Sequence, residues 1–281
     1  VFVLIWSTGF VVARLAMPHS PPMTFLSLRY AVSVLCFVAW IVLAGVAWPR
    51  EPKQWMHLAA SGVLMHAGYL GGVWSAVKLG IGAGTVSLLV GLQPVLTAVW
   101  LASTARSAGR ARVVAREWIG LLMGLAGLAL VLSGKFNIGE VTRWNLALAV
   151  LALLSITIGT LYQKSFLTPC DVRTASTVQL LAALAVSLPF ALLEPEAMQW
   201  HPHLVGALLW SVLVLTLGGS SLLYLLIQRG AATQVASLLY LVPPCTALLA
   251  WLLFGESFTA MMLLGMLLTV AGVALVVRRA A

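Results

Sequence analysis

Charged residues are scarce in this chain, at 8% of 281 residues, while hydrophobic residues make up 62% and the mean hydropathy is +1.05. Soluble globular domains carry about 25% charged residues, so the composition excludes an ordinary soluble domain. The net charge of +9 could indicate a nucleic-acid partner in a soluble protein. Here Lys and Arg lie in short connections between apolar runs, where they set membrane topology. We therefore predict a lipid bilayer, and no nucleic acid, as the partner.

Acidic residues are the scarcest charged type, with seven Asp and Glu in the whole chain. All seven map to loops or to the ends of apolar segments, so none is predicted at mid-membrane. Carboxylates inside the membrane are the usual proton relays and cation partners. Their absence there argues against a proton-coupled exporter of cationic drugs built around a glutamate.

Motifs for catalysis, cofactors and metals are also lacking. The three cysteines are an odd number, scattered and without metal-ligand spacing. The glycines of segment 80–84 look like a phosphate loop, but no strand precedes them and no Lys-Ser/Thr follows. His201 and His203 have no Cys, Asp or third His nearby in the sequence and are interpreted as solvated loop residues. We predict that the protein is not an enzyme and has neither a cofactor nor a metal site.

What the chain does contain is an internal duplication. Shifting the sequence by 150 positions aligns residues 80–101 with residues 230–251 and places Ser87 on Ser237. Past the repeated prolines the shift changes to 145. A period this long excludes a solenoid. In a membrane chain, a half-length repeat indicates a transporter.

Ten segments approach the roughly 20 apolar residues that a spanning helix needs. They are about residues 1–17, 25–46, 57–77, 83–102, 117–133, 144–164, 175–193, 204–227, 233–253 and 259–277. Five fall in each copy and, because five is odd, the second copy must enter the membrane from the opposite side. The predicted fold is all-α and integral to the membrane: ten helices in one domain, as two inverted five-helix repeats, residues 1–134 and 135–281.

Lys and Arg are unevenly distributed over the predicted connections. With the N-terminus inside, eleven lie on the cytoplasmic side and four on the opposite side. Arg29 is placed near the outer end of the second helix and is left out of this count. The excess of positive charge predicts that both termini are cytoplasmic.

Glycines line the predicted fifth and tenth helices. They are Gly120, Gly124 and Gly127 in the first copy and Gly265 and Gly272 in the second. Glycine faces allow helices in a membrane to approach closely. We expect these two helices to brace the repeats against each other and not to contact substrate.

Polar residues at mid-membrane depth are the candidates for a substrate site. His66 and Tyr69, three residues apart, share one helical face. Hydrogen bonding to a neighbouring helix and a substrate role are equally compatible with this pair. Hydroxyl and small residues at equivalent depth favour the substrate role, although they also allow close packing. The candidate substrate-binding residues are Ser7, His66, Tyr69, Ser87, Thr157, Ser221, Ser237 and Tyr240.

Prolines interrupt the predicted fourth and ninth helices at matching places. Pro94 and the pair Pro243 and Pro244 each remove a backbone donor and kink a helix. Such breaks in both halves of a repeat are the best sequence pointer to a transport site. These three prolines are the predicted gating kinks.

At these residues the chain resembles the EamA-type members of the drug/metabolite transporter superfamily. Trp6–Arg14 (WSTGFVVAR) and the following Pro22–Arg29 look like the first-helix signature of the family, and Ala236–Glu256 (ASLLYLVPPCTALLAWLLFGE) looks like its second-repeat signature. The first repeat departs from the pattern, because the basic loop Ser103–Arg116 stands where Gly255–Glu256 would recur. The resemblance implies alternating access to a central cavity lined by helices 1, 3, 4, 6, 8 and 9, with helices 5 and 10 behind it.

By overall likeness, the chain is most similar to the YddG-type exporters of aromatic amino acids in bacterial inner membranes. This resemblance implies a multi-pass inner-membrane exporter of neutral or zwitterionic metabolites, with amino acids bearing aromatic or other large apolar side chains as substrates. A broad-specificity drug-efflux transporter is the alternative within the same class. A non-transporting structural membrane subunit is the alternative from another class. The sequence does not set the oligomeric state, and a monomer is compatible with it.

Overall fold

The structure is a computed structural model that describes residues 2–93, 95–97, 100, 115–137, 140–228, 241–255 and 259–277. Within these ranges the chain is helical and has no strand. The first half contains α1 (Phe2–Ala16), α2 (Pro22–Ala44), α3 (Pro52–Gly62), the π-helical segment π1 (Val63–Gly68), α4 (Tyr69–Lys78), α5 (Ala83–Val90) and α6 (Ala115–Asn137). The second half contains α7 (Arg143–Phe166), α8 (Val172–Leu193), α9 (Pro202–Trp210), the π-helical segment π2 (Ser211–Ser220), α10 (Ser221–Gln228), α11 (Val242–Phe254) and α12 (Ala260–Val277).

Several of these helices suit a bilayer. Helices α2, α7 and α8 and the run Pro202–Leu226 are each long and apolar enough to cross it, and shorter apolar helices accompany them. Large apolar side chains such as Leu43, Leu192 and Leu193 are about four-fifths exposed or more. Many other large apolar side chains are exposed as well, and extensive apolar surface is rare on soluble monomers. The all-helical membrane class is thus confirmed, whereas the count of ten helices and their inverted arrangement stay predictions.

Local sequence sets where the helices begin and end. Pro22 and Pro52 stand in the first turns of α2 and α3, where a missing N–H costs nothing. Thr142 and Asn145 form a reciprocal capping box at the start of α7. Gly45 ends α2 with a φ of 61°, a left-handed conformation that favours glycine. Some of the contacts between the two halves lie in the connections that these signals delimit.

Helices α6 and α12 pack backbone against backbone. A Cβ atom on Gly127 would lie 2.4 Å from the carbonyl oxygen of Gly265, and one on Gly272 would lie 2.4 Å from that of Gly120. Real Cβ atoms do not approach this closely, so only glycine fits. The predicted close packing of the fifth and tenth helices is confirmed. Helix α2 packs on α8, and α4 packs on α7.

Replacing Gly127 with alanine should destabilise the protein by about 1–3 kcal/mol, because the new methyl group forces two backbones apart. The matched control is Gly206→Ala in α9, where an added Cβ meets nothing within 4 Å. Thermal unfolding of both variants in one detergent measures the difference. Equal midpoints for the two variants would contradict the packing described here.

Candidate functional site

A cavity lies between the two halves of the chain. Its volume is about 80 Å³, which is room for several water molecules. The first half supplies Trp6, Phe10, Arg29, His66, Tyr69 and Trp74 among its lining residues. The second half supplies Ile156, Gln163, Ser176, Gln179, Ser220 and Tyr224. We call this space the main cavity.

A smaller cavity adjoins it and shares Trp6, Phe10, Tyr69 and Ile156 as walls. It reaches α5 and α11, where it is lined by residues that include Ser87 and Pro243. Together the two cavities are lined by the six helices that the resemblance implied. Two further helices, which the resemblance did not imply, also line the main cavity. Helix α2 contributes Arg29, and α8 contributes Ser176 and Gln179.

The main cavity repeats its lining at the 150-residue shift seen in the sequence. Pairs of lining residues related by this shift are Trp6/Ile156, Arg29/Gln179, Met65/Leu215, Leu70/Ser220, Val73/Leu223 and Trp74/Tyr224. The same shift carries π1 onto residues 213–218, inside π2. Each copy therefore contributes the same irregular helical segment to the same cavity.

The fourth predicted helix is interrupted beside the smaller cavity. Helix α5 ends at Val90, and Gly91 and Leu92 form a turn before helical residues resume. A Cβ on Gly91 would lie 2.7 Å from Cγ of Pro243. The 150-residue shift places Gly91 on Leu241, the turn residue that precedes α11. Each of these two equivalent positions is thus a turn residue that precedes helical residues.

Two of the three prolines that were predicted to kink a helix lie instead at the start of a helix. Pro243 and Pro244 lie in the first turn of α11 and not in the middle of a continuous helix. Proline is tolerated there because its missing N–H would have no intrahelical acceptor. Pro94 lies outside the described residues.

Of the predicted substrate-binding residues, the structure brings His66 and Tyr69 to the main cavity. Tyr69 also lines the smaller cavity, together with Ser87. The Ser87 hydroxyl donates to the carbonyl of Gly84 at 2.8 Å. Ser237 and Tyr240 lie outside the described residues.

The other predicted hydroxyl residues are buried but are not among the lining residues of either cavity. Ser7 Oγ donates to the carbonyl of Val242 at 3.4 Å, a weak link between α1 and α11. Thr157 Oγ1 donates to the carbonyl of Leu153 at 2.6 Å, a bond within its own helix. Such backbone bonding satisfies a hydroxyl without a ligand. Ser221, at the start of α10, is 7% exposed.

Arg29 is the residue that sequence reasoning missed. It was expected near the outer end of its helix, yet it lines the main cavity and is 5% exposed. Its Nε and Nη2 atoms donate to Thr216 Oγ1 at 3.1 and 3.0 Å. Its Cζ atom lies 6.0 Å from the ring centre of Trp74, which permits a cation–π contact. An Arg within an apolar run marks a functional site by default, and that signal was available.

No carboxylate among the described residues forms an ion pair with Arg29, since the pairs found there are Lys78–Glu196 and Arg173–Asp171. Buried charges are ordinarily paired, because an isolated ion in an apolar medium is costly. The equivalent position in the second copy holds Gln179, whose Nε2 donates to Ser61 Oγ at 2.8 Å. The cavity is therefore asymmetric, with a cation on one side and an amide on the other. It is suited to an anionic group.

His66 of π1 and Tyr69 of α4 line the same cavity as Arg29. The Tyr30 hydroxyl donates to the backbone carbonyl of His66 at 3.0 Å, and the rings of Tyr30 and His66 meet edge to face at 6.1 Å. The carbonyl of a π-helical residue is thus held by a side chain of α2. This contact fixes the π1 backbone beside Arg29.

A cysteine at Ser220 should react with a small methanethiosulfonate in a background without the native cysteines, because Ser220 lines the main cavity. The matched control is Ser187→Cys, whose position is 1% exposed and absent from the cavity lining. The modified fraction is read by mass spectrometry of the purified protein. Equal reactivity at the two positions would show that the main cavity is not accessible as described.

A cavity lined from both halves of an all-helical membrane protein is the arrangement of a membrane transporter. The profile of the EamA-like transporter family matches residues 1–133 and 143–278. The chain belongs to the EamA-like transporter family, as the resemblance in the sequence implied.

Curated relatives cover nearly the whole chain. The uncharacterized transporter YvbV of Bacillus subtilis (strain 168) is 27% identical over 98% of this chain and 88% of its own length. The probable amino-acid metabolite efflux pump of Salmonella typhimurium is 25% identical over 96% of this chain and 90% of the relative. The uncharacterized inner membrane transporter YedA of Escherichia coli K12 is 26% identical over 91% and 81%.

A solved crystal structure also matches this chain. Its TM-score is 0.70 over 98% of this chain and 94% of the other, at 20% sequence identity. At this identity the likeness shows the fold alone. It agrees with the helical architecture described above.

Proposed function

We propose that this protein is a secondary transporter that exports small zwitterionic metabolites, chiefly amino acids with aromatic or other large apolar side chains. The observation that carries the proposal is Arg29, a buried cation without a carboxylate partner among the described residues, facing a cavity with aromatic walls. The name of the Salmonella relative, an amino-acid metabolite efflux pump, supports the same class of substrate.

The chemistry of the cavity matches the two ends of such a substrate. A guanidinium binds a carboxylate through paired N–H donors, so Arg29 would hold the carboxylate. Trp6, Phe10 and Trp74 offer faces to an apolar side chain, each aromatic pair contributing about 0.5–1.5 kcal/mol beyond area burial. Amide and hydroxyl oxygens of Gln163, Ser176 and other residues of the second half can accept from an ammonium group.

The two alternatives fit the cavity less well. A cationic drug would meet the Arg29 guanidinium, and no acidic side chain is found among the described residues of the cavity lining to offset the repulsion. In a structural subunit, Arg29 would lower stability, because it is a buried cation with no carboxylate partner among the described residues and no ligand would pair with it. Export of a carboxylate-bearing metabolite is therefore the preferred function.

We infer that transport proceeds by alternating access between two inverted repeats, residues 1–134 and 135–281. The six pairs of lining residues related by the 150-residue shift and the matching π-helical segments support this arrangement. The two segments matched by the family profile follow the same division. We propose that a monomer carries out this cycle.

The substitution Arg29→Gln removes the positive charge and introduces the residue type found at the equivalent position of the second repeat, Gln179. A hydrogen bond to a charged group contributes about 1.5–3 kcal/mol, so uptake of labelled phenylalanine into inverted vesicles should fall about 10- to 100-fold. Wild type should prefer phenylalanine to phenylalaninamide, which lacks the carboxylate, and the variant should lose that preference.

The control for this experiment is Arg173→Gln, because Arg173 pairs with Asp171 outside the main cavity. It should transport phenylalanine at the wild-type rate. Both variants need wild-type elution from gel filtration before they are compared. Unchanged uptake and unchanged preference in a folded Arg29→Gln protein would refute the assignment of the carboxylate to Arg29.

We propose that the protein lies in the inner membrane, as the resemblance implies, with both termini in the cytoplasm, as the uneven distribution of Lys and Arg predicts. In a cysteine-free background, Gln199→Cys should react with an impermeant maleimide added to intact cells. Lys53→Cys should react only after the membrane is broken, although both positions are exposed. Labelling of residue 53 from outside would reverse the proposed orientation.

A further inference from the structure

Three histidines meet where the connection between α1 and α2 lies against the connection between α8 and α9. His19 belongs to the first connection, and His201 and His203 flank the first residue of α9. The rings of His19 and His201 stack at 4.2 Å and 10°, and the ring of His203 lies edge-on to His201 at 4.7 Å. One ring nitrogen of each lies within 4.8 Å of the others. No third histidine lies near His201 and His203 in the sequence, and His19 comes to them from the first half of the chain.

The backbones that carry these rings are tied together independently of them. The amide of Gln199 donates to the carbonyl of His19 at 2.8 Å. Lys78 Nζ donates to the carbonyl of Met17 at 3.1 Å and pairs with Glu196. Glu194 accepts from the amides of Met23 and Thr24 at 2.9 and 2.8 Å. The two connections are thus held in register, and the three rings are brought together by the fold.

We propose that His19, His201 and His203 bind a divalent transition-metal ion of the zinc type. Imidazole nitrogens suit zinc, copper and nickel, and three histidines with one open position make a known tetrahedral zinc set. At a metal–nitrogen distance of about 2.0–2.1 Å the ligand nitrogens lie about 3.4 Å apart. Because the ring nitrogens now lie within 4.8 Å of one another, they would have to approach by at most about 1.4 Å to reach this geometry.

The side chain of His201 makes a hydrogen bond that a bound metal would displace. His201 Nδ1 now accepts from the amide of His203 at 3.2 Å, and coordination would replace this long, exposed bond.

A bound ion would join the two halves of the chain at this one end. His19 lies in the first proposed repeat, and His201 and His203 lie in the second. The link would add to the contacts of Lys78 and Glu194 that already cross between the same connections. The site stands on the geometry of these rings and does not depend on the substrate of the transporter.

Zinc titration of the purified full chain, without an affinity tag and stripped with a chelator, tests the site by calorimetry. We expect one ion per chain in wild type. Loss of an outer-shell partner alone weakens metal binding about 10- to 100-fold, so His19→Gln and His203→Gln, which remove ligands, should each weaken it at least about tenfold. Cobalt binding should show the absorption of a tetrahedral complex in wild type and not in His19→Gln or His203→Gln.

The matched control is His57→Gln, because His57 bonds Tyr162 at 2.8 Å and is not part of the cluster. It should bind zinc as wild type does. His203 is exposed, so its variant remains informative if His19→Gln folds poorly. Absence of zinc binding in wild type would overturn the proposal. Equal affinity in wild type, His203→Gln and His57→Gln would also overturn it and would leave the cluster as stacked rings only.

Discussion

In a bilayer, a backbone group that leaves the regular helical ladder must find a partner within the protein, because no water lies nearby. The irregular segments described here satisfy this constraint beside the cavities. In π1 the carbonyl of His66 accepts from Tyr30. In π2 the side chains of Thr216 and Ser220 donate to carbonyls five residues earlier. The irregular backbone of π1 and π2 is thus held by side chains, and both segments contribute to the wall of the main cavity.

Duplication supplied this architecture twice, and divergence then made the two cavity walls chemically different. Arg29 and Gln179 occupy equivalent places, and so do Trp74 and Tyr224. The first copy keeps the cation and the larger ring, whereas the second copy keeps neutral polar groups. A symmetric cavity would bind both ends of a ligand alike. The asymmetric cavity can orient a molecule with a charged head and an apolar tail.

The apolar runs predicted the helices, and the repeated glycines predicted the contact of α6 with α12, because both signals are local or periodic. His66 and Tyr69 were found because polar side chains in an apolar helix need partners. Arg29 was misplaced because its helix begins at Pro22 and not at residue 25, which moves it about one turn deeper. The histidine cluster could not be predicted, since no sequence pattern joins His19 to the α8–α9 connection.

A π-helical turn accommodates more residues than an α-helical turn, so the register of a helix differs before and after it. Helical side chains rotate by about 100° per residue. Removing one residue from π1 would restore a regular helix but swing Tyr69, Val73 and Trp74 away from the cavity together. The length of Val63–Gly68 therefore matters as much as its composition for the orientation of these side chains. Natural relatives should lack insertions and deletions in this segment even where they differ by single substitutions.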